Sequence, residues 1–395
     1  MSDTRPAAVI VLAAGGGTRM KSQLPKVLHR IGGQTLIARA LSAARGLGPE
    51  HLVAVIGHGR DQVGPHISAV DPTAVTVVQE AQLGTAHAVQ CALGALTGSS
   101  GLAGPGGLTG TVLVTYGDVP LLTTDSLAAL TKEHADSASA VSLLTAVVPD
   151  PTGYGRIVRD PDDHTQVAAI VEHADATDEQ RTITEINSGI CAFDVSVLLD
   201  ALGRIDTDNA KGEFYLTDVA AIARADGRSV GAVQTSDGWQ TEGVNDRVQL
   251  SRLGAELNRR TLESHMRAGV TVVDPATTWV DHTVELEADV TLLPGVQLHG
   301  STRAATGATI GPDSTLTDVV IGSGATVVRS HGSEAVIGDG AAVGPFAYLR
   351  PGTALGVRGK IGTFVETKNA VIGDAAKVPH LSYVGDAEIG EQSNV

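Results

Sequence analysis

Between Ala335 and Gly362 the chain reads AVIGDGAAVGPFAYLRPGTALGVRGKIG. Ile337, Val343, Leu349, Leu355 and Ile361 fall six residues apart; Val284, Val290 and Val296 start the same rhythm earlier, and Ile372, Val378 and Val384 repeat it later. Six matches neither the 3.6-residue period of a helix nor the two-residue alternation of a strand. It is the period of a parallel β-helix in which each hexapeptide forms one flat face of a coil and its aliphatic residue points inward. Small residues to turn the corners follow the aliphatics: Ile321-Gly322, Ile337-Gly338, Val343-Gly344, Leu355-Gly356, Ile361-Gly362 and Ile372-Gly373.

Upstream, Asn245–Ala268 reads as one helix, with Val248, Leu250, Leu253, Leu257, Leu262 and Met266 as its apolar stripe,. Before it the pattern changes again. Val9–Ala14, Leu52–Ile56, Val75–Val78 and Val112–Tyr116 read as buried strands, alternating with helix-period stretches at Leu36–Arg45, Ala86–Leu96 and Ser126–His134,. That alternation predicts an α/β fold with a mostly parallel sheet and helices on both faces. The Gly/Ser/Thr-rich stretch Thr97–Thr111 is expected to be a surface loop, because the strand pattern resumes after it. The expected division is therefore an α/β domain over 1–245, a linker helix over 246–268 and a β-helix domain over 269–395.

Composition agrees with two folded units. The chain has 395 residues and 42% apolar residues, enough for sizeable cores. Glycine numbers 47, about one residue in eight against roughly 7% in ordinary chains,. Phe, Trp and Tyr together number only 11, so the cores must be aliphatic. The net charge of −16 argues against a binder of nucleic acid or anionic membrane, which needs a basic footprint. Residues 1–60 depart from that balance, with eight Lys/Arg against Asp3 and Glu50, which points to a small anionic ligand near the N-terminus. Cys91 and Cys191 form no C-x-x-C pair, so a reducing cytoplasm is expected and no thiolate metal site is read. Ala7–Ala14 resembles the core of a signal peptide, but Asp3 and the following Gly-Gly-Gly-Thr-Arg-Met-Lys favour a buried strand,.

Two segments carry chemistry. At the first strand's end stands LAAGGGTRMKSQLPK, Leu12–Lys26. Consecutive glycines let backbone N–H groups approach phosphate oxygens, and a strand-to-helix turn aims them at an anion. Arg19, Lys21 and Lys26 add charge. The stretch is neither G-x-G-x-x-G, which would need Gly in place of Met20, nor a Walker A loop. The fourth strand ends in VTYGDVPL, Val114–Leu121, which places Asp118 where open α/β sheets bind ligands. One carboxylate plus substrate phosphates is the usual way of holding Mg²⁺. Other matches are weaker: Gly227–Gly231 fits G-x-S-x-G but follows a helix rather than a strand, His51, His58 and His66 lack metal-ligand spacing, and Asp160–Asp163 reads as a solvated turn.

The motifs Leu12–His29, Gln82–Ala88 (QLGTAHA), Tyr116–Leu121, Gly153–Ile157 (GYGRI), Ile170–Thr177, Glu185–Ile190 (EINSGI), Phe214–Asp218 (FYLTD) and Glu242–Asn245 (EGVN) occur in order. Hexapeptide repeats follow, with RPGTAL (Arg350–Leu355), FVETK (Phe364–Lys368) and HLSYVGDAEIG (His380–Gly390). Together they resemble the bacterial bifunctional N-acetylglucosamine-1-phosphate uridyltransferase/glucosamine-1-phosphate acetyltransferase family over essentially the whole chain. The resemblance implies a Rossmann-like nucleotidyltransferase domain followed by a left-handed β-helix, a cytoplasmic homotrimer, and supply of UDP-N-acetylglucosamine for peptidoglycan and other envelope glycans.

Carried over residue by residue, the resemblance places the UTP phosphates on the loop of Gly15, Gly17 and Thr18 with Arg19 and Lys26 as the catalytic cations, and counts Leu12 among the nucleotide-binding residues. Uracil would lie against Ala13, Gln79 and Gly84. Mg²⁺ would be held by Asp118 and Asn245. The sugar would meet Thr85, Tyr116, Gly155, Glu172, Asn187, Tyr215 and Thr217. The chemistry suits these roles, because the attacking sugar phosphate oxygen is already ionised and the barrier is repulsion between two anions. In the β-helix, Arg350 and Lys368 would bind the phosphate of glucosamine 1-phosphate, and Tyr383 and Asn394 its sugar. His380 would take the amine proton during attack on acetyl-CoA, with Glu366 orienting it. In the family, further coils beyond this point supply most of the acetyl-CoA site. The expectation is therefore a truncated chain, ending at Val395, that transfers uridylyl groups but acetylates poorly. The nearest alternative is a nucleotidyltransferase for another base or sugar whose β-helix serves assembly only. A non-catalytic scaffold subunit is the reading from a different class, and the retained Lys26, Asp118 and Asn245 speak against it.

Overall fold

The computed structural model describes residues 5–97, 107–209 and 211–395. Most of the Thr97–Thr111 loop lies outside the described residues. The chain divides into two compact units, Met1–Arg30 with Thr35–Leu253, and Ile31–Gln34 with Gly254–Val395. The expected helix is present as Arg247–Arg267, and the division falls inside it.

The first unit is a sheet with helices on both faces. Its main strands are β1 (Ala8–Ala13), β2 (His51–Ile56), β3 (Val75–Val78), β4 (Thr111–Tyr116), β5 (Val141–Val147), β6 (Arg156–Arg159), β7 (Val167–Val171), β8 (Glu185–Asp194) and β9 (Val230–Thr235). They run in the order β9-β5-β8-β4-β1-β2-β3, with β6 and β7 off the path. All pairs along this path are parallel except those of β8, which is antiparallel to both β4 and β5.

β1 shows why the sequence folds this way. It is six residues long and buried throughout, the continuous apolar run of a strand covered on both faces. Ala8, Ile10 and Leu12 enter one hydrophobic core, Val9, Val11 and Ala13 the other. Helix Thr85–Thr97 covers the first core through Val89, Leu93 and Leu96, and helices Leu36–Arg45 and Thr124–Asp136 cover the second through Ile37, Leu41, Leu127 and Leu130. From β1 the chain winds outward to β2 and β3, then returns to place β4 on the other side of β1. The crevice beyond the C-terminal ends of β1 and β4 is thus a topological switch point, where such sheets bind ligands.

The second unit is a parallel β-helix. Thr291 pairs with Thr309, Thr309 with Thr326, Thr326 with Ala342, Ala342 with Lys360 and Lys360 with Lys377. Each of these coils therefore takes 16 to 18 residues, three hexapeptides with up to two residues dropped at the corners. All the aliphatics of the six-residue rhythm point inward; Val343, Leu349, Ile361 and Val378 are at most 1% exposed. They stack in ladders such as Val327, Val343, Ile361 and Val378.

The glycines after the aliphatics stand at the corners, where Gly322, Gly338, Gly356 and Gly373 each accept a bond from the amide three residues on, and they also let the coils approach one another. At Gly338 a Cβ would lie 2.7 Å from the Gly356 carbonyl carbon and 2.8 Å from the Val357 nitrogen. At Gly356 it would lie 2.5 Å from Asp374 Oδ1. Their absent side chains let one coil rest on the next. Non-glycine residues with positive φ, such as Arg358 and Ala375, stand at other corner positions.

Cys91 and Cys191 are free thiols. Among the described residues no helix is long and apolar enough to cross a membrane. The stacking role of Gly338 makes a prediction. Gly338→Ala meets backbone that cannot rotate away, so it should destabilise the β-helix by roughly 1–3 kcal/mol, seen as an earlier urea transition of that unit while the α/β unit keeps its own.

Candidate active site

The switch-point crevice holds two adjoining lobes. One, of about 330 Å³, is lined by Leu12, Ala13, Gly15, Lys26, Gln79, Gln82, Gly84, Thr85, Tyr116, Asp118 and their neighbours. The other, of about 240 Å³, is lined by Tyr116, Gly155, Glu172, Asn187, Tyr215, Thr217 and others. Thr85, Tyr116 and Glu213 border both.

The first lobe begins where β1 ends. The turn Gly15–Gly17 leads into a short 3₁₀ turn, Thr18–Met20, anchored by buried Met20. Gly17 has φ of +57°, and a Cβ there would lie 2.7 Å from Lys26 Cβ, so only glycine lets the Lys26 segment close against the turn. Nothing lies within 4 Å of the Cβ positions at Gly15 and Gly16, which leaves that backbone face open.

Four side chains from distant segments meet here. Lys26 Nζ forms an ion pair with Asp118 Oδ2 and lies 3.4 Å from Asn245 Oδ1. Arg19 Nη2 donates to the same Asn245 oxygen at 3.0 Å. Asp118 stands just past β4, and its carbonyl accepts from the Val244 amide at 2.8 Å, which brings Asn245 alongside. Asn245 is fixed in turn by the start of the long helix: Asp246 Oδ1 accepts from the Gln249 amide at 2.8 Å, as an N-cap does, and Gln249 Oε1 accepts from the Asn245 amide at 2.8 Å.

Side-chain amides and glycines shape the wall. Gln79 Nε2 lies 3.0 Å from both the Gly84 carbonyl and His87 Nδ1, and Gln82 Nε2 donates to the Ala14 carbonyl at 2.8 Å. Gly84 has φ of +117°, with its missing side chain facing the Phe214 backbone. Phe214 and the following residues are tied down by bonds from the Phe214 amide to Leu83 (2.8 Å), from Ala86 to the Phe214 carbonyl (3.0 Å) and from the Leu216 amide to Thr85 Oγ1 (3.0 Å).

The second lobe depends on a bulge in β8. Asn187 opposes Thr145 and Cys191 opposes Leu143, so Ser188–Ile190 exceed what the partner strand can pair. Such bulges re-aim side chains next to active sites. Gly189, at φ +80°, lies where a Cβ would be 2.7 Å from Tyr116 Cε2, so the bulge packs directly on the Tyr116 ring. Burial, with the Cys191, Asp118 and Glu172 charges adding to it, pushes the Tyr116 phenol well up, and the hydroxyl stays protonated. Burial also raises the Glu172 carboxyl, while the Lys211 charge opposes the rise. The Cys191 thiol is pushed up to about 12 by burial and is inert as a nucleophile.

The structure thus gathers Leu12, Ala13, Gly15, Lys26, Gln79, Gly84, Thr85, Tyr116, Asp118, Gly155, Glu172, Asn187, Tyr215 and Thr217 on one crevice, with Gly17, Arg19 and Asn245 at its edge. Sequence reasoning had not named Gln82, Tyr154, Ser188, Gly189, Lys211 or Glu213 as site residues. The signals were the turn-forming Asn209 and Gly212 just before FYLTD, and a glycine inside a strand.

In the β-helix, Tyr348, Glu366 and Tyr383 occupy successive rungs of one outward face. Arg350 Nη1 donates to Glu366 Oε1 at 2.8 Å. Lys368 stands opposite Gly385 and His380 opposite Thr363, and Asn394 bridges to Lys377. Arg350, Glu366 and Tyr383 are neighbours. Among the described residues no hydrogen bond joins Glu366 to His380; its carboxylate is engaged by Arg350.

A glycine-rich turn facing a carboxylate at the switch point suits a nucleotidyltransferase, and the MobA-like NTP transferase domain matches residues 9–181. Proteins each named bifunctional protein GlmU are similar over almost the whole chain: one from Pseudarthrobacter chlorophenolicus at 59% identity (100% of this chain, 78% of that protein), one from Kineococcus radiotolerans at 59% (99% and 77%), and one from Mycolicibacterium gilvum at 55% (100% and 78%). The chain belongs to the GlmU family of bifunctional proteins.

The Thr85 contact gives a local test. Thr85→Val leaves the Leu216 amide without its acceptor, at a cost of about 1 kcal/mol. Hydrogen exchange at Leu216 should quicken severalfold, with the β1 amides unchanged.

Proposed function

We propose that the chain transfers uridylyl from UTP to N-acetylglucosamine 1-phosphate, releasing pyrophosphate, and that its β-helix serves acetylation of glucosamine 1-phosphate by acetyl-CoA. The observation that carries this is the convergence of Lys26, Arg19, Asp118 and Asn245 beside an open glycine turn, in a chain of the GlmU family. Residues 1–245 are assigned to uridylyl transfer, 246–268 to a linker helix and 269–395 to the acetyltransferase half. A homotrimer in the cytoplasm completes the proposal, resting on the family resemblance.

In this reading the backbone of Gly15–Thr18 receives the triphosphate, and Lys26 and Arg19 supply positive charge to it. The sugar phosphate oxygen attacks already ionised, so no side chain has to remove a proton. What the chain must supply is alignment of two anions and relief of their repulsion. Tyr116, with its hydroxyl proton retained, offers a donor to the sugar, while Glu172, Asn187 and Thr217 offer polar partners around it. In the second half, Arg350, Lys368, Tyr383 and Asn394 hold glucosamine 1-phosphate and His380 takes the proton of its amine.

Asp118 and Asn245 suit a divalent ion, for which we propose Mg²⁺. Both donors are oxygens, the hard ligands such cations prefer, and both already converge on a cation, the Lys26 ammonium. Bound there, the ion supplies charge screening between the phosphates.

Asp118→Ala and Lys26→Ala should each cut pyrophosphate release by about 10²–10³-fold or more with the fold intact by circular dichroism. Near-normal metal-dependent turnover of Asp118→Ala would refute the metal assignment. Preference for GTP or ATP over UTP would favour another nucleotidyltransferase. The 395 residues span 77–79% of the relatives' lengths. Pyrophosphate and CoA release, followed separately on this polypeptide, test the two halves of the proposal one by one.

A further inference from the structure

The second lobe carries more charge than uridylyl transfer itself requires. Among the described residues lining it, Glu172 and Glu213 are the carboxylates and Lys211 is the only cation. Lys211 sits on a built turn. Asn209 Oδ1 accepts from the Lys211 and Glu213 amides at 3.2 and 3.3 Å, and Asn209 Nδ2 donates to the Glu213 carbonyl at 2.6 Å. The turn ends on the bond from the Phe214 amide to Leu83, so it is fastened to the wall of the first lobe. It holds the ammonium 5.8 Å from the Tyr215 ring centroid and within electrostatic reach of Glu172. Glu172 also faces Asp175, Tyr116, Tyr215 and Asp218, none of which brings positive charge.

Without Lys211 the lobe would present two carboxylates and no cation, which is a receptor for an ammonium group. We infer that Lys211 is a specificity-determining residue: its charge lets the lobe accept a 2-amino sugar phosphate whose nitrogen is acylated while rejecting the same sugar with a free, protonated amine. The inference rests on the uridylyl-transfer reading and adds a residue to it. The two sugars differ by one positive charge at neutral pH, and shape alone discriminates against a smaller competitor only weakly, because the free amine fits wherever the amide does. Repulsion is what rejects the smaller one. In a chain whose family acts on both sugars, that repulsion keeps the amine for acetylation.

The test uses Lys211→Gln and Lys211→Glu in the full chain. Uridylyl transfer to glucosamine 1-phosphate and to N-acetylglucosamine 1-phosphate is measured as kcat/KM at low and high salt. One charge several ångströms away in a half-exposed site changes such a ratio by about tenfold. The ratio of amine to amide should rise by about that factor in Lys211→Gln and further in Lys211→Glu, and the gain should shrink in high salt. The KM for UTP reports whether the first lobe is intact. A ratio within about twofold of the unaltered protein in both variants overturns the inference, as does loss of both rates with the ratio unchanged, which would assign Lys211 to holding the turn. If the unaltered protein does not use UTP with N-acetylglucosamine 1-phosphate at all, the functional reading fails and this inference falls with it. A flat ratio in an active enzyme removes the inference alone.

Discussion

Lys26 and Asp118 are 92 residues apart in sequence, and their ion pair exists because β1 and β4 lie side by side in parallel. Each residue follows the C-terminal end of one of those strands. The register Leu12 with Tyr116, continued by the bond from the Gly117 amide to the Leu12 carbonyl at 2.9 Å, sets the glycine turn opposite the carboxylate. The pair is a poor source of stability, because both side chains lost most of their hydration to form it,. Its value lies in holding a cation and an anion together beside the open glycine turn. The functional crevice is therefore a consequence of strand order, and the apolar run of β1 is what makes that order hold.

The two units spend glycine differently. In the α/β unit it is local and few positions matter: Gly17 admits Lys26, Gly84 admits the Phe214 backbone, Gly189 admits the Tyr116 ring. In the β-helix it is repeated, because every coil must rest on the one before at the spacing of a parallel sheet. Gly322, Gly338, Gly356 and Gly373 all face backbone of the next coil. A substitution in the first unit disturbs one contact of the site. In the second it disturbs a stacking step, and the coils on either side share the strain.

What the sequence made legible follows the same division. Buried strands and the six-residue rhythm are visible because burial selects aliphatics at fixed intervals, and Asp118 is visible because ligand sites cluster at strand ends. Coil lengths of 16 to 18 residues are less visible, since corners are turned by Arg329, Phe346, Phe364 and Leu381 at positive φ, residues that announce no turn. The partner of Glu366 is hidden for that reason: Arg350 lies two residues past Tyr348, which pairs with Glu366 one coil on, and without the coil length His380 looks as close. The bulge at Ser188–Ile190 and the Lys211 turn are signalled locally only by Gly189 and by Asn209 and Gly212, while their placement is set by strand pairing and by the Leu83 contact.

The scarcity of aromatics sharpens the account of both sites. A β-helix interior filled by stacked Val, Ile, Leu and Ala has no room for rings, and in the α/β cores only Phe193 among the aromatics is fully buried. None of the five tyrosines is fully buried in a core, although Tyr116 packs against both α/β cores. Tyr116, Tyr154 and Tyr215 line the second lobe, and Tyr348 and Tyr383 flank Glu366 on the outward face of the β-helix. A sugar offers a ring an apolar face and offers a phenol hydroxyls to bond, so tyrosine satisfies both demands with one side chain. Their scarcity in the cores, together with their presence in both places proposed for a sugar phosphate, is the distribution that the proposed recognition of a sugar calls for.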